Sequence, residues 1–139
     1  MEKKIQDFCR NTNQPVPETI GQVSRCVYES LALKYRHALE GLQKMKGQRI
    51  DSLNIVGGPI NNRFLDQLIA DSLDREVVTG PVEGAAIGNL LTQAMALGDI
   101  KDLDELRQVV RNSEAVEVWE PHHTVEWENA YQKLLTFLK

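Results

Sequence analysis

The residues with the most evident chemical potential are Val56-Gly57-Gly58-Pro59-Ile60-Asn61-Asn62. They follow Leu53-Asn54-Ile55-Val56, which reads as a short buried strand, and they lead into a helical pattern. Glycines at such a turn let the backbone approach a ligand, and the next helix N-terminus offers unpaired N–H groups. The pattern is neither G-x-G-x-x-G nor a P-loop, because the later glycine and the Gly-Lys-Ser/Thr ending are missing. Taken alone, paired glycines after a strand are more often a plain tight turn. Pro59 has a fixed φ and no N–H, which favours close packing against a flat ligand, such as a base, over a phosphate cradle.

The other candidates have simpler readings. Gly80-Pro81-Val82-Glu83-Gly84-Ala85-Ala86-Ile87-Gly88-Asn89 gives a small-residue helix face suited to close helix–strand packing. Glu83 there is a helix-start charge favoured by the dipole. His122-His123 invites a metal, but adjacent residues do not share a helix face, and neither His37 nor Glu126 completes a ligand spacing. Asp99, Asp102, Asp104 and Glu105 read as helix-start charge, not as an acid/base pair. No serine or cysteine nucleophile motif is present. Trp119 and Trp127 are expected to seat the C-terminal helix.

These candidates need elements to hold them. Residues 1–10 form a short amphipathic helix through Ile5 and Phe8, broken by Asn11-Thr12-Asn13-Gln14-Pro15-Val16-Pro17. From Thr19, an apolar stripe through Ile20, Val23, Val27, Leu31, Tyr35, Ala38, Leu42 and Met45 predicts one long helix of about 40 Å. Thr19 and Gln22 fit a capping box, and Gly47 supplies the stop. Asn61 or Asn62 caps the next helix, whose apolar face runs through Phe64, Leu65, Leu68, Ile69 and Leu73. Glu76-Val77-Val78-Thr79 is a second strand, and Glu83 to Leu97 a helix closed by Gly98. Asp102 or Asp104 starts a further helix through Leu106, Val109 and Val110. Ala115 to Trp119 is extended, and the chain is helical from Thr124. The order is α/β with a parallel strand pair. Two short strands with open edges make a poor independent sheet, so the sequence reads as part of a larger domain.

Composition bounds the reading. The 139 residues carry a net charge of −4, with 42% hydrophobic and 26% charged residues, as in an ordinary folded domain. No cationic excess supports nucleic-acid or anionic-membrane binding. No apolar run approaches the ~20 residues of a membrane span, and no apolar region follows the first lysines as a signal peptide would require. Cys9 and Cys26 make no metal or disulfide framework; Cys26, on the helical stripe, is expected to be a buried reduced thiol. The cytoplasm is the expected compartment.

Several segments, in order, resemble the C-terminal part of FGGY-family carbohydrate kinases. They are Glu29-Ser30-Leu31-Ala32-Leu33-Lys34-Tyr35-Arg36, Ile55-Val56-Gly57-Gly58, Asn62-x-x-Leu65-x-Gln67-Leu68-x-Ala70-Asp71 and the run Gly80 to Asn89. Gln14-Pro15-Val16-Pro17-Glu18-Thr19, with Pro81-Val82-Glu83 and Gly88-Asn89, is similar to the family's kinases of L-rhamnulose. The resemblance covers essentially the whole chain. It implies the actin-like ATPase (ribonuclease H-like) fold and ATP- and magnesium-dependent phosphoryl transfer to a sugar, here giving L-rhamnulose 1-phosphate and ADP. Residues 1–139 would be one partial domain, the later half of the kinase's C-terminal domain, with an N-terminal helix and linker over 1–16 and a C-terminal helix over 120–139. Gly57, Gly58 and Asn62 would contact the adenosine of ATP. The family usually carries a third glycine where this chain has Pro59, whose ring would narrow the adenine slot. No Asp-x-Gly-type phosphate loop, catalytic aspartate or sugar-binding residue is recognisable. The resemblance therefore implies a chain inactive by itself, with the remainder of the kinase as its partner or, for the isolated piece, a second copy. The alternatives are a non-catalytic nucleotide-binding or interaction module and a kinase for another sugar.

Overall fold

The computed structural model describes residues 1–122 and 124–138. Helix α1 (Glu2–Asn11) is followed by α2 (Ile20–Lys46), whose ends are set by local hydrogen bonds. The Thr19 hydroxyl accepts from Gln22 N–H at 3.2 Å, and Gln22 Oε1 accepts from Thr19 N–H at 3.0 Å. At the other end Gly47, with φ 71°, donates to the Gln43 carbonyl at 2.9 Å. Both ends lie where the capping box and the glycine stop place them.

The buried face of α2 differs from the expected stripe. Ala32 and Leu39 are buried, with Tyr28 and Tyr35 packed beside them, a row at helical spacing. Ile20 and Met45, from the predicted stripe, are 83% and 86% exposed, and Leu31 and Leu42 are also exposed. Two apolar rows lie side by side on this helix, and α3 (Arg63–Leu73) covers only the row through Tyr28 and Leu39. Cys26 is half-buried; the fully buried cysteine is Cys9. Both thiols are free and line one apolar cavity between α1, α2 and the C-terminal helix.

Helix α3 is the centre of the molecule. Every residue from Leu65 to Leu73 except Gln67 is buried, because α2 packs on one side and the sheet on another. Phe64, expected in the core, is instead half-exposed and meets Tyr28 edge-on at 5.8 Å. Strand β1 (Ser52–Ile55) pairs in parallel with β2 (Glu76–Thr79). The expected two-stranded sheet has a third member, β3 (Glu117–Trp119), antiparallel to β2. The order β1-β2-β3 leaves the outer edge of β1 unpaired among the described residues.

Register separates the two sheet faces. Asn54, Val78 and Val118 are cross-strand partners on one face; Asn54 and Val118 are exposed there. The neighbouring row of Leu53, Val77 and Trp119 belongs to the core side, with Val77 fully buried. Parallel strand pairs normally have both faces covered. Here one face is not.

Between β2 and β3 the chain forms α4 (Gly84–Leu97) and α5 (Leu103–Ser113), started by Glu83 and Asp102. Neither helix has a buried residue; they pack chiefly on each other. Helix α6 (Thr124–Phe137) closes the molecule against α3 and α2. Trp119 and Trp127 pack on the core, and Phe8 of α1 meets Phe137 edge-on at 5.6 Å. Among the described residues no helix is long and apolar enough to cross a membrane.

Candidate functional site

The glycine turn lies where β1 ends, at the C-terminal edge of the parallel pair, the usual ligand side of such sheets. Gly57 has φ 85°, a conformation natural to glycine, and its N–H donates to the Pro81 carbonyl at 3.2 Å. One 3-10 turn, Gly58–Asn61, then carries the chain into α3. Asn62 is the N-cap: its Oδ1 accepts from Leu65 N–H at 3.2 Å. That leaves its amide N–H groups as what it offers a ligand.

The turn forms an open shelf. A side chain built on Gly58 would meet nothing within 4 Å, so the space above that backbone is empty. Val56, which precedes the turn, and Val82, next to the Pro81 carbonyl that Gly57 meets, are 55% and 39% exposed. Gly84, at the start of α4, brings its backbone against Val56, where an added Cβ would sit 3.6 Å from the valine side chain. Apolar side chains beside bare backbone suit a flat aromatic ligand. The ring of Pro59, expected to narrow the slot, lies outside the described residues, as does His123.

The structure brings Gly57, Gly58 and Asn62 together on one turn. It gives structural roles to Gly80 and Asp71, which the sequence reading named only within longer segments, and it adds Asp66, which that reading passed over. Gly80 (φ 119°) locks the second βα connection: its N–H donates to the Ile55 carbonyl at 2.9 Å, and a Cβ there would lie 2.5 Å from the Ala115 carbonyl oxygen. Asp71 ties α3 to the chain entering α6, its Oδ1 accepting from Gln67 Nε2 at 2.9 Å and from His122 N–H at 2.8 Å. Asp66 is fully buried, and neither carboxylate oxygen has a hydrogen-bond partner among the described residues. Burial, with Glu117 nearby, pushes its carboxyl above the ordinary carboxylate value, against the opposing pull of Arg63. Its signal in the sequence was its position: Asp66, Ala70 and Leu73 share a helix face at spacings of four and three.

Magnesium takes several oxygen ligands at once. Among the described residues no group of three or more His, Cys, Asp and Glu is placed to hold a metal ion. The donor set of the described residues does not fit the metal, and no step is assigned through it.

A mixed α/β sheet with a glycine turn at the strand ends narrows the class, and comparison with known proteins defines it. Residues 2–97 match the C-terminal domain of the FGGY family of carbohydrate kinases, and the chain belongs to that family. Its α/β architecture is that of the family's actin-like ATPase domain. Among curated proteins, it is 41% identical over 131 residues to a rhamnulokinase of Bacteroides thetaiotaomicron, covering 94% of this chain and 27% of that protein. It is 43% identical over 121 residues to a rhamnulokinase of Bacillus subtilis, covering 87% of this chain and 25% of that protein. The chain thus spans about a quarter of the length of these relatives. Among solved structures it is similar in fold to a xylulose kinase from Rhodospirillum rubrum, with a TM-score of 0.67 at 22% identity, over 88% of this chain and 25% of that one.

Proposed function

We propose that this chain is the nucleotide-side portion of a sugar kinase of rhamnulokinase type. In the complete enzyme a hydroxyl oxygen of L-rhamnulose attacks the γ-phosphorus of ATP, the bond to the β-phosphate oxygen breaks, and the sugar 1-phosphate, ADP and a proton result. The observation that carries the reading is the open shelf at Gly57 and Gly58, leading into a helix capped by Asn62. Its part is to hold adenosine: backbone at Gly57 and Gly58 lies against the base, Val56 and Val82 flank it, and Asn62 donates from its amide. ATP supplies the phosphoryl group when bound, and magnesium would be held by residues beyond these. Phosphoryl transfer also needs an oriented base and a closed cleft. None is recognisable here, so the isolated chain turns over no sugar. The expected compartment is the cytoplasm.

The rest of the enzyme docks where the fold is unfinished. The free edge of β1, the sheet face of Asn54 and Val118, and the α2 row of Ile20, Leu31, Leu42 and Met45 are the surfaces it covers. In an isolated chain, a second copy covers them.

Gly58→Val tests the site directly. A side chain there enters empty space, so folding is unaffected while the shelf is filled. ATP titrated into the chain is expected to perturb the Gly57, Gly58 and Asn62 amides in NMR spectra, and the variant to weaken binding at least about tenfold. Equal affinity in both proteins would sink the assignment. Sugar-dependent ADP production by the pure chain would refute its inactivity.

A further inference from the structure

At the opposite end of the strands from the glycine turn, Arg36, Arg49 and Arg75 line one cavity of about 410 Å³. Arg49 precedes β1, Arg75 immediately precedes β2, and Arg36 reaches in from α2. Their charges are not equally met. Arg36 is fully engaged: Nε pairs with Glu40 at 3.0 Å, Nη2 with Glu128, Nη1 donates to the Ser72 carbonyl at 3.3 Å, and the guanidinium lies 4.2 Å over the Tyr131 ring. Burial opposes its charge, and the two glutamates outweigh that, so it stays a fixed cation.

Arg75 is different. Its Nη1 donates to Gln43 Oε1 at 2.7 Å, but its Nε is buried with no hydrogen-bond partner among the described residues. Its guanidinium pKa is lowered first by burial and next by the like charge of Arg49. Arg49 has one exposed ion pair, to Asp51 at 3.2 Å, of the kind that solvent weakens. Two guanidiniums lining one cavity, one of them partly buried and incompletely hydrogen-bonded among the described residues, repel each other unless an anion sits between them.

We propose that this cavity binds a phosphate-class oxyanion, free or carried on a small molecule, between Arg75 and Arg49, beside the already paired Arg36. Planar guanidiniums match phosphate oxygens in pairs, and the Asn129 amide in the same wall can donate a further hydrogen bond. Glu40, Asp74 and Glu128 also line the cavity. The two glutamates are engaged with Arg36, and the three carboxylates together repel an extended polyanion, which selects for a small ligand. The site is separate from the adenosine shelf and does not depend on the kinase reading.

The test is titration of inorganic phosphate into the 139-residue chain at constant ionic strength, following backbone amides and arginine Nε–H groups by NMR. The Arg75 and Arg49 guanidinium signals are expected to move saturably. Arg49→Gln, at an exposed position that leaves the fold intact, should weaken the affinity about tenfold, and Arg75→Gln should abolish it. A hexose monophosphate titrated in parallel separates the sources: tighter binding than phosphate identifies a phosphorylated small molecule, and equal binding identifies the free ion. No saturable movement of Arg75, unchanged affinity in Arg49→Gln, or movement confined to the Gly57–Asn62 amides would overturn the proposal.

Discussion

Asp66 is the residue whose energetics are furthest from ordinary. Its carboxyl is fully buried without a hydrogen bond among the described residues, and burial raises its pKa in the folded chain. An unfolded Asp66 ionises near 3.8, so between that pH and its higher folded value the folded state holds more protons. Stability from this group is therefore greatest at low pH and falls as pH rises toward the folded pKa. Asp66→Asn is expected to raise stability at pH 8 by about 1–2 kcal/mol, with no gain near pH 3, as measured by urea unfolding. A pH-independent gain would mean that packing, not charge, sets the effect. Gly80 is constrained from the other direction. Gly80→Ala forces a Cβ to 2.5 Å from the Ala115 carbonyl at a φ of 119°, and should cost about 2–4 kcal/mol in the same assay. At this scale the site was partly legible. Gly57, Gly58 and Asn62 announce themselves through neighbours within a few residues, whereas the need for Gly80 comes from a carbonyl on the far side of two helices.

Helix ends were legible for the same reason. Thr19 with Gln22, Asn62 with Leu65, and Asp102 with Asp104 and Glu105 are bonds between residues two or three apart. Helix faces were not. The stripe through Ile20, Val27, Leu31, Tyr35 and Met45 and the row through Tyr28, Ala32 and Leu39 both have helical spacing; of the expected stripe, Tyr35 packs against the core, and α3 decides between the rows from a distance. The pairing of β3 with β2 was equally hidden, since it requires knowing how α4 and α5 return the chain. Capping should matter in proportion to what a helix buries. Thr19→Ala is expected to cost about 1 kcal/mol of global stability in urea, because α2 carries core residues. Asp102→Ala removes two cap bonds but lies on a helix with no buried residue. It should reduce far-ultraviolet helix signal while leaving the urea transition within about 0.5 kcal/mol of the parent. A large shift from Asp102→Ala would show that α5 is coupled to the core.

The molecule as a whole reads as a core with unfinished borders. Among the described residues, a sheet with one bare face and two unpaired outer edges, and a long helix with an exposed apolar row, fit a chain spanning about a quarter of its relatives' length. Alone in solution it should self-associate, with an average mass that rises with concentration in sedimentation. Val118→Lys on the open sheet face should lower that mass. A monomer at all concentrations would mean that these surfaces tolerate water. The α4–α5 pair has a different consequence. With no buried residue in either helix, its backbone hydrogen bonds can open while Ile69 and Val77 stay packed. Native-state hydrogen exchange should therefore divide this chain into two cooperative units. Amides of α4 and α5 would exchange through a shallow local opening, and those of α3 and β2 only through global unfolding. The glycine shelf sits at the seam, since Gly84 of α4 rests on Val56. A bound nucleotide would then be read as slower exchange across both helices, most of whose residues it never touches.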